Sequence, residues 1–473
     1  MVRSTRMLLA VVVCLTLSLA GVSLAAEPTA AGGFVVKLPP HPYAGALLAD
    51  SPFGINTNLR PGAADMKQRL DGFQDAGIKW GRQGFNWRNI EQKPGQYTWE
   101  AYDKLVDDCL KSGLRIFGQF SSPPDWKKEE FKDYDPGTPA GVQKYAAFCA
   151  AATKRYAGKV DHWQIWNEPN GGYFYNYSAD QYAALLSAAG KAIHQANPDA
   201  KVLALNMAFC DVIWADKVLS QTPYDAYDIV CFHPYRAMSA PDEKFDWWMK
   251  DQYVKSWHPE LGEDFRMIRQ DFPAQIEELA TVMQKYGKLK PMWVTEICWN
   301  SNIHPYGTPE IRQADMIVRF YVLGIASQKV QKMFWWTFKD GGDMQYDMGN
   351  MVGLVRTNYE PKYSYYSFAF MTRMLEGKKW LGNYIRPDVY AITFQDPKTT
   401  EYTIVAWATK PYAYIKVSNT EKGLTMFDVF GTSRFVPFDK ERTSSLTVPL
   451  GESPIYIVAP AGTRVQSRPA PGR

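Results

Sequence analysis

The chain has 473 residues, 46% of them hydrophobic and 22% charged, with a formal net charge of +4. That is too long for one simple core and predicts a large domain plus a smaller one, in an ordinary globular protein. The charge is small for this length and no basic block is interleaved with aromatics, so no nucleic-acid partner is expected. Aromatic content is the one oddity, at 14% with 16 Trp; flat rings complement the apolar faces of sugars, and they also fill cores.

Arg3 and Arg6 give a positive start, Met7 to Ala20 is apolar, and Ser23-Leu24-Ala25-Ala26 offers small residues for cleavage. Residues 1–26 therefore read as a signal peptide and the mature chain as secreted or periplasmic. The apolar run is short for a membrane span and charge returns at Glu27. An uncleaved anchor is the alternative reading, and no other stretch would span a bilayer. Of six Cys, Cys14 leaves with the signal. An odd number remains, so Cys109, Cys149, Cys210, Cys231 and Cys298 read as buried thiols, with one bridge between Cys109 and Cys149 left open.

Residues 27–50, rich in Pro, Gly and Ala, read as a linker with a stray strand over 33–38. Strands and amphipathic helices then alternate. Strands are predicted over 53–58, 79–85, 114–120, 162–166, 201–208, 229–233, 291–297 and 332–338. Helices are predicted over 65–77, 102–112, 141–156, 180–196, 214–220, 273–286, 310–328 and 363–375. Loops carry the expected breakers, as at Pro94-Gly95 and Ser121-Ser122-Pro123-Pro124. Strict alternation predicts an α/β protein, a (β/α)8 TIM barrel over residues 51–377. A doubly wound open sheet would usually carry a Gly-rich nucleotide loop, and none is present. After Gly377 the elements become short, β-rich and turn-bounded, which predicts a small C-terminal β-sandwich over 378–462 and a disordered tail over 463–473.

Two strand ends carry the chemistry. In His162-Trp163-Gln164-Ile165-Trp166-Asn167-Glu168-Pro169-Asn170, Pro169 and the glycines beyond it stop the strand, so Asn167 and Glu168 sit at the catalytic edge of a barrel. Trp163, Trp166, Tyr173 and Phe174 are expected to wrap Glu168 and raise its pKa. In Pro291-Met292-Trp293-Val294-Thr295-Glu296, an apolar strand again ends in a Glu. The two carboxylates would face each other across the barrel mouth, the minimal equipment for glycoside hydrolysis.

Trp166-Asn167-Glu168-Pro169-Asn170 and Val294-Thr295-Glu296 resemble the acid/base and nucleophile motifs of the clan of retaining barrel glycosidases. The likeness is greatest to glycoside hydrolase family 39, with family 5 second, over roughly residues 53–375. The resemblance implies that Arg82 holds the nucleophile, that Asn167 hydrogen-bonds the sugar 2-hydroxyl, that His233 and Tyr235 stand beside the carboxylates, and that Trp336 floors the sugar subsite. A structural ion pair at Arg82, a capped aromatic at Tyr235 and core packing at Trp335 are the plainer alternatives. The sequence departs from family 5 in Ile297-Cys298-Trp299 after the second Glu, and its strand-3 loop lacks the histidine of some relatives. The insertion 236–271 holds Trp247, Trp248, Tyr253, Trp257 and His258, which suit outer sugar subsites or a satellite core.

No G-x-S-x-G or H-E-x-x-H occurs, and the six His have no metal spacing, so neither metal nor cofactor is expected. His162, His194 and His304 read as structural, and the sequon Asn176-Tyr177-Ser178 as chance. The expected protein is a secreted retaining glycoside hydrolase acting on a poly- or oligosaccharide, with Glu168 as acid/base and Glu296 as nucleophile. A transglycosylase using the same residues and a non-catalytic carbohydrate-binding barrel are the alternatives.

Overall fold

The computed structural model describes residues 27–28, 34–171, 177–244, 270–418, 423–437 and 445–467. The expectations for residues 1–26, Tyr173, Phe174, Asn176, Trp247, Trp248, Tyr253, Trp257, His258 and 468–473 lie outside the described residues.

Eight parallel strands close into a barrel. They are β1 (Phe53–Asn56), β2 (Trp80–Asn86), β3 (Arg115–Ser121), β4 (His162–Ile165), β5 (Lys201–Ala208), β6 (Ile229–His233), β7 (Met292–Ile297) and β8 (Val330–Trp335). The helices are α1 (Met66–Asp75), α2 (Glu100–Lys111), α3 (Pro139–Arg155), α4 (Ala179–Ala196), α5 (Val212–Leu219), α6 (Phe272–Gln284), α7 (Glu310–Ala326) and α8 (Tyr363–Leu375). Local chemistry sets several starts. Thr138 caps α3 with Pro139 in its first turn, Ser178 and Gln181 form a reciprocal capping box on α4, and Asp271 caps α6.

The barrel interior is built in layers by the two-residue period of strands. Low in the barrel, Trp80, Phe117, Leu203, Ile229, Cys231, Trp293 and Phe334 form one apolar cluster. Phe117 meets Phe334 at 4.9 Å and Trp80 meets Trp293 at 5.5 Å, both edge to face. Gly54 is required here, because a Cβ would meet the Phe334 ring at 2.4 Å. Two residues further along the same strands the character changes: Trp80 gives way to Arg82, His162 to Gln164, Cys231 to His233 and Trp293 to Thr295. The aromatic plug thus supports a polar layer at the mouth.

Several boundaries differ from expectation. Residues 41–50, read as part of a linker, pack on the N-terminal end of the barrel: His41 is buried, Trp80 Nε1 donates to Leu48 O at 3.1 Å, and Lys332 Nζ donates to Ala49 O at 2.5 Å. Phe34–Val35 does form a strand, paired with Glu27–Pro28. The loop expected at Pro94-Gly95 is the turn of a hairpin pairing Glu91–Lys93 with Gln96–Tyr97. Cys109 and Cys149 are free buried thiols, so the possible bridge is not formed.

The C-terminal unit comprises β9 (Lys379–Arg386), β10 (Val389–Gln395), β11 (Tyr402–Ala408), β12 (Ala413–Ser418), β13 (Leu424–Phe427), β14 (Ser433–Val436), β15 (Ser445–Leu450), β16 (Ile455–Ala459) and β17 (Arg464–Ser467). The sheets run β9-β10-β11-β16-β13-β14 and β15-β12-β17. Strand β17 corrects the expected tail: it pairs with β12, and Val465 packs on the core between the sheets. Buried Asp242 ties this unit to the barrel, pairing with Arg319 of α7 at 3.1 Å and accepting from Trp407 Nε1 of β11 at 2.8 Å.

Candidate active site

Glu168 lies three residues beyond the end of β4. The chain turns sharply there, with Trp166 at φ +63° and Glu168 at φ +44°, in the left-handed region that side chains rarely adopt. The neighbouring strand holds this turn. Glu168 N donates to Asn206 O at 2.9 Å, and Asn206 Nδ2 donates to Ile165 O at 3.0 Å. Leu205 and Asn206 are themselves left-handed, at φ +69° and +48°. Two strained strand ends therefore brace each other and aim Glu168 inward.

Glu296 projects from β7 and is buried. Arg82 Nη1 pairs with its Oε2 at 2.5 Å, and Tyr235 Oη donates to its Oε1. Arg82 lies within β2, not at its end, and its long side chain rises to the mouth. There the guanidinium also donates to Asn56 Oδ1 at 2.8 Å, to Gln164 Oε1 at 2.9 Å and to Asn167 Oδ1. Four partners fix one cation in one place. Substituting Arg82→Met leaves Glu296 as an unpaired buried charge, and the expected loss of folding stability is roughly 3–5 kcal/mol. Urea unfolding of Arg82→Met, Glu296→Gln and the double variant checks this, because the double variant should regain part of the loss.

His233 bridges the two carboxylate neighbourhoods. Its Nδ1 lies 2.9 Å from Glu168 Oε1 and its Nε2 lies 3.0 Å from Thr295 Oγ1. Burial lowers its pKa to about 3, so the ring is neutral and carries one proton. Placed on Nδ1, that proton is donated to Glu168, and the Thr295 hydroxyl donates to Nε2. Burial raises Glu168 to about 7, against the opposing pull of Arg82. Burial, with Glu296 beside it, holds the Tyr235 hydroxyl well above its ordinary range and therefore protonated.

One oxygen of each carboxylate and a His233 ring nitrogen all lie within 4.8 Å of one another. The three atoms are spaced as a cation could use them. Their partners fit one poorly: both His233 nitrogens are engaged, and the Arg82 guanidinium already neutralises Glu296.

A cleft of about 1290 Å3 opens beside Glu296, with Asn167, Trp126, Trp166 and Trp336 among its walls. Trp336 follows β8 directly and is half-buried, while Trp335 is fully buried and donates through Nε1 to Val352 O at 2.9 Å. The structure thus brings all seven expected residues (Arg82, Asn167, Glu168, His233, Tyr235, Glu296 and Trp336) to one end of the barrel. Trp163 is a correction: it stacks on Phe120 at 4.6 Å in the layer between strands and helices and does not wrap Glu168. Asn56, Gln164, Asn206 and Thr295 were missed. Their signal was a lone polar side chain within an apolar strand.

Fold and site together define a (β/α)8 barrel with paired carboxylates at its C-terminal mouth. No protein-family model and no curated protein matches the chain. Among solved structures it is similar to a family 39 glycoside hydrolase from Bacteroides cellulosilyticus WH2, with 21% identity, 86% of this chain and 80% of that chain covered, and a TM-score of 0.71. It is also similar to a glucosidase from Croceicoccus marinus (14% identity, 91% and 98% covered, TM-score 0.58) and to a monomeric β-xylosidase from Caulobacter crescentus CB15 (15% identity, 88% and 98% covered, TM-score 0.56). At these identities the likeness shows the fold, a barrel also found in family 39 glycoside hydrolases.

Proposed function

We propose that this protein is a retaining glycoside hydrolase that cleaves β-glycosidic bonds of a poly- or oligosaccharide, with Glu168 as acid/base and Glu296 as nucleophile. The observation that carries the reading is the close approach of two carboxylates in opposite environments. One oxygen of each lies within 4.8 Å of the other, an approach that favours the carboxyl spacing of about 5–5.5 Å used for direct attack over the about 6.5–9.5 Å that inversion needs to admit a water. Glu296, paired with Arg82 and Tyr235, attacks the anomeric carbon. Glu168, protonated, gives its proton to the departing glycosidic oxygen. In the second step water loses a proton to Glu168 and displaces Glu296, restoring both groups with net retention. Asn167 lines the cleft with its Oδ1 held by Arg82, which leaves its amide nitrogen as the donor for the sugar 2-hydroxyl. A neighbour described as a glucosidase supports a sugar substrate, and one described as a β-xylosidase supports a β linkage. Export rests on the sequence of residues 1–26.

The test is a screen of the mature chain against polysaccharides and aryl β-glycosides beside Glu168→Gln and Glu296→Gln. Release of sugar by the wild type alone, with the product anomer retained by NMR, is expected. Full activity in either variant overturns the assignment, glycan binding without release favours a binding barrel, and accumulation of longer products marks transfer over hydrolysis.

A further inference from the structure

The charges around the cleft do not balance. Three carboxylates line it, Asp65, Glu296 and Asp340, and each already has a cation: Arg69 at 3.0 Å, Arg82 at 2.5 Å and Lys362 at 3.2 Å respectively. Arg60 from the loop after β1 and Arg88 from the turn after β2 line the same cleft, both exposed. Among the described residues neither guanidinium has a hydrogen-bond, ion-pair or ring partner. The whole chain carries only +4, so two uncompensated arginines in one concavity are a local feature. Like charges gathered in a concave, low-dielectric wall raise its potential and concentrate anions there.

The cleft reaches Glu296, the group that would hold the sugar after bond cleavage, so its occupants are sugars on the glycone side of the bond. Its volume of about 1290 Å3 exceeds the range of about 300–1,000 Å3 usual for small-ligand sites, leaving room for more than one sugar ring. Trp126 and Trp336 offer faces to stack those rings. Arginine matches carboxylates and sulfates with two parallel donors, which lysine does not. We infer that Arg60 and Arg88 select a glycan bearing an anionic substituent on its glycone side. The inference rests on the glycosidase reading and names the substrate class for that site.

Kinetics on three matched β-linked oligosaccharides test it: one containing a uronate, its carboxyl-reduced neutral counterpart, and a sulfated form of the neutral one. An anionic member should be preferred in kcat/KM, with a preference that shrinks at high salt. Arg60→Gln and Arg88→Gln should each erode that preference by about tenfold, and Arg88→Lys should restore part of it. Which anionic member leads tells carboxylate from sulfate, and either supports the inference. Equal or better turnover of the neutral member, or equal losses on all three in the arginine variants, overturns the inference and leaves the glycosidase reading intact. If no member is cleaved, the glycosidase reading fails and calorimetric binding of the same three decides: arginine-dependent, salt-sensitive binding of an anionic member upholds the inference, and its absence overturns it.

Discussion

Glu296→Gly should lower kcat on the order of 10^4-fold or more, the scale seen when a covalent nucleophile is removed. The loss follows from geometry. Arg82 and Tyr235 aim one donor each at this carboxylate and hold it in place for attack. The diagnostic is chemical rescue. Azide fits the space left by the side chain and attacks directly, so the glycosyl azide should have the inverted anomeric configuration. In Glu168→Ala, azide instead attacks the covalent intermediate, and the product should keep the original configuration. NMR of the two azides separates the roles. Identical configurations in both variants would sink the assignment, and near-normal turnover by Glu296→Gly without azide would sink the mechanism.

The two carboxylates were legible because strand ends are written locally: Pro169 after Glu168 and the apolar run before Glu296 need no tertiary knowledge. Their supports were not. Arg82 meets Gln164, and Asn206 holds the backbone of Ile165, across strands far apart in sequence, and no periodicity encodes which polar residue will meet which. Trp163 was misplaced because nearness in sequence to Glu168 was read as nearness in space; its ring leaves the barrel on the other face and stacks on Phe120. The stretch before residue 50 read as a linker because it is rich in Pro, yet its carbonyls at Leu48 and Ala49 satisfy Trp80 and Lys332. Strand β17 was hidden because Val465 turns to the core while its neighbours Arg464 and Gln466 are exposed, too short a pattern to read as a strand.

Glu168→Gln should cost about 10^2–10^4-fold in kcat/KM on natural glycosides and much less on a dinitrophenyl glycoside, whose leaving group needs no proton. It should also change the pH profile. With burial holding the Glu168 carboxyl at about 7, wild-type kcat/KM falls as pH rises through that value, and the variant's profile should be flat there. The same burial makes a stability prediction with a fixed sign. Below about 4.5, the ordinary value, folded and unfolded chains both hold the proton and Glu168 adds no pH dependence. Between about 4.5 and about 7 the folded chain keeps a proton that the unfolded chain has released, so this contribution to stability declines as pH rises. Above about 7 the whole cost is present, on the order of 3 kcal/mol. Glutamine has no proton to lose. The variant's stability relative to wild type should therefore rise across that window, read by urea unfolding at several pH values. A parallel pair of curves would mean that Glu168 is not desolvated, and the acid role would lose its physical basis. A rising difference with a lost alkaline limb would show one cause behind both effects: the barrel mouth keeps Glu168 protonated at a cost in stability, and that retained proton is what the leaving group receives.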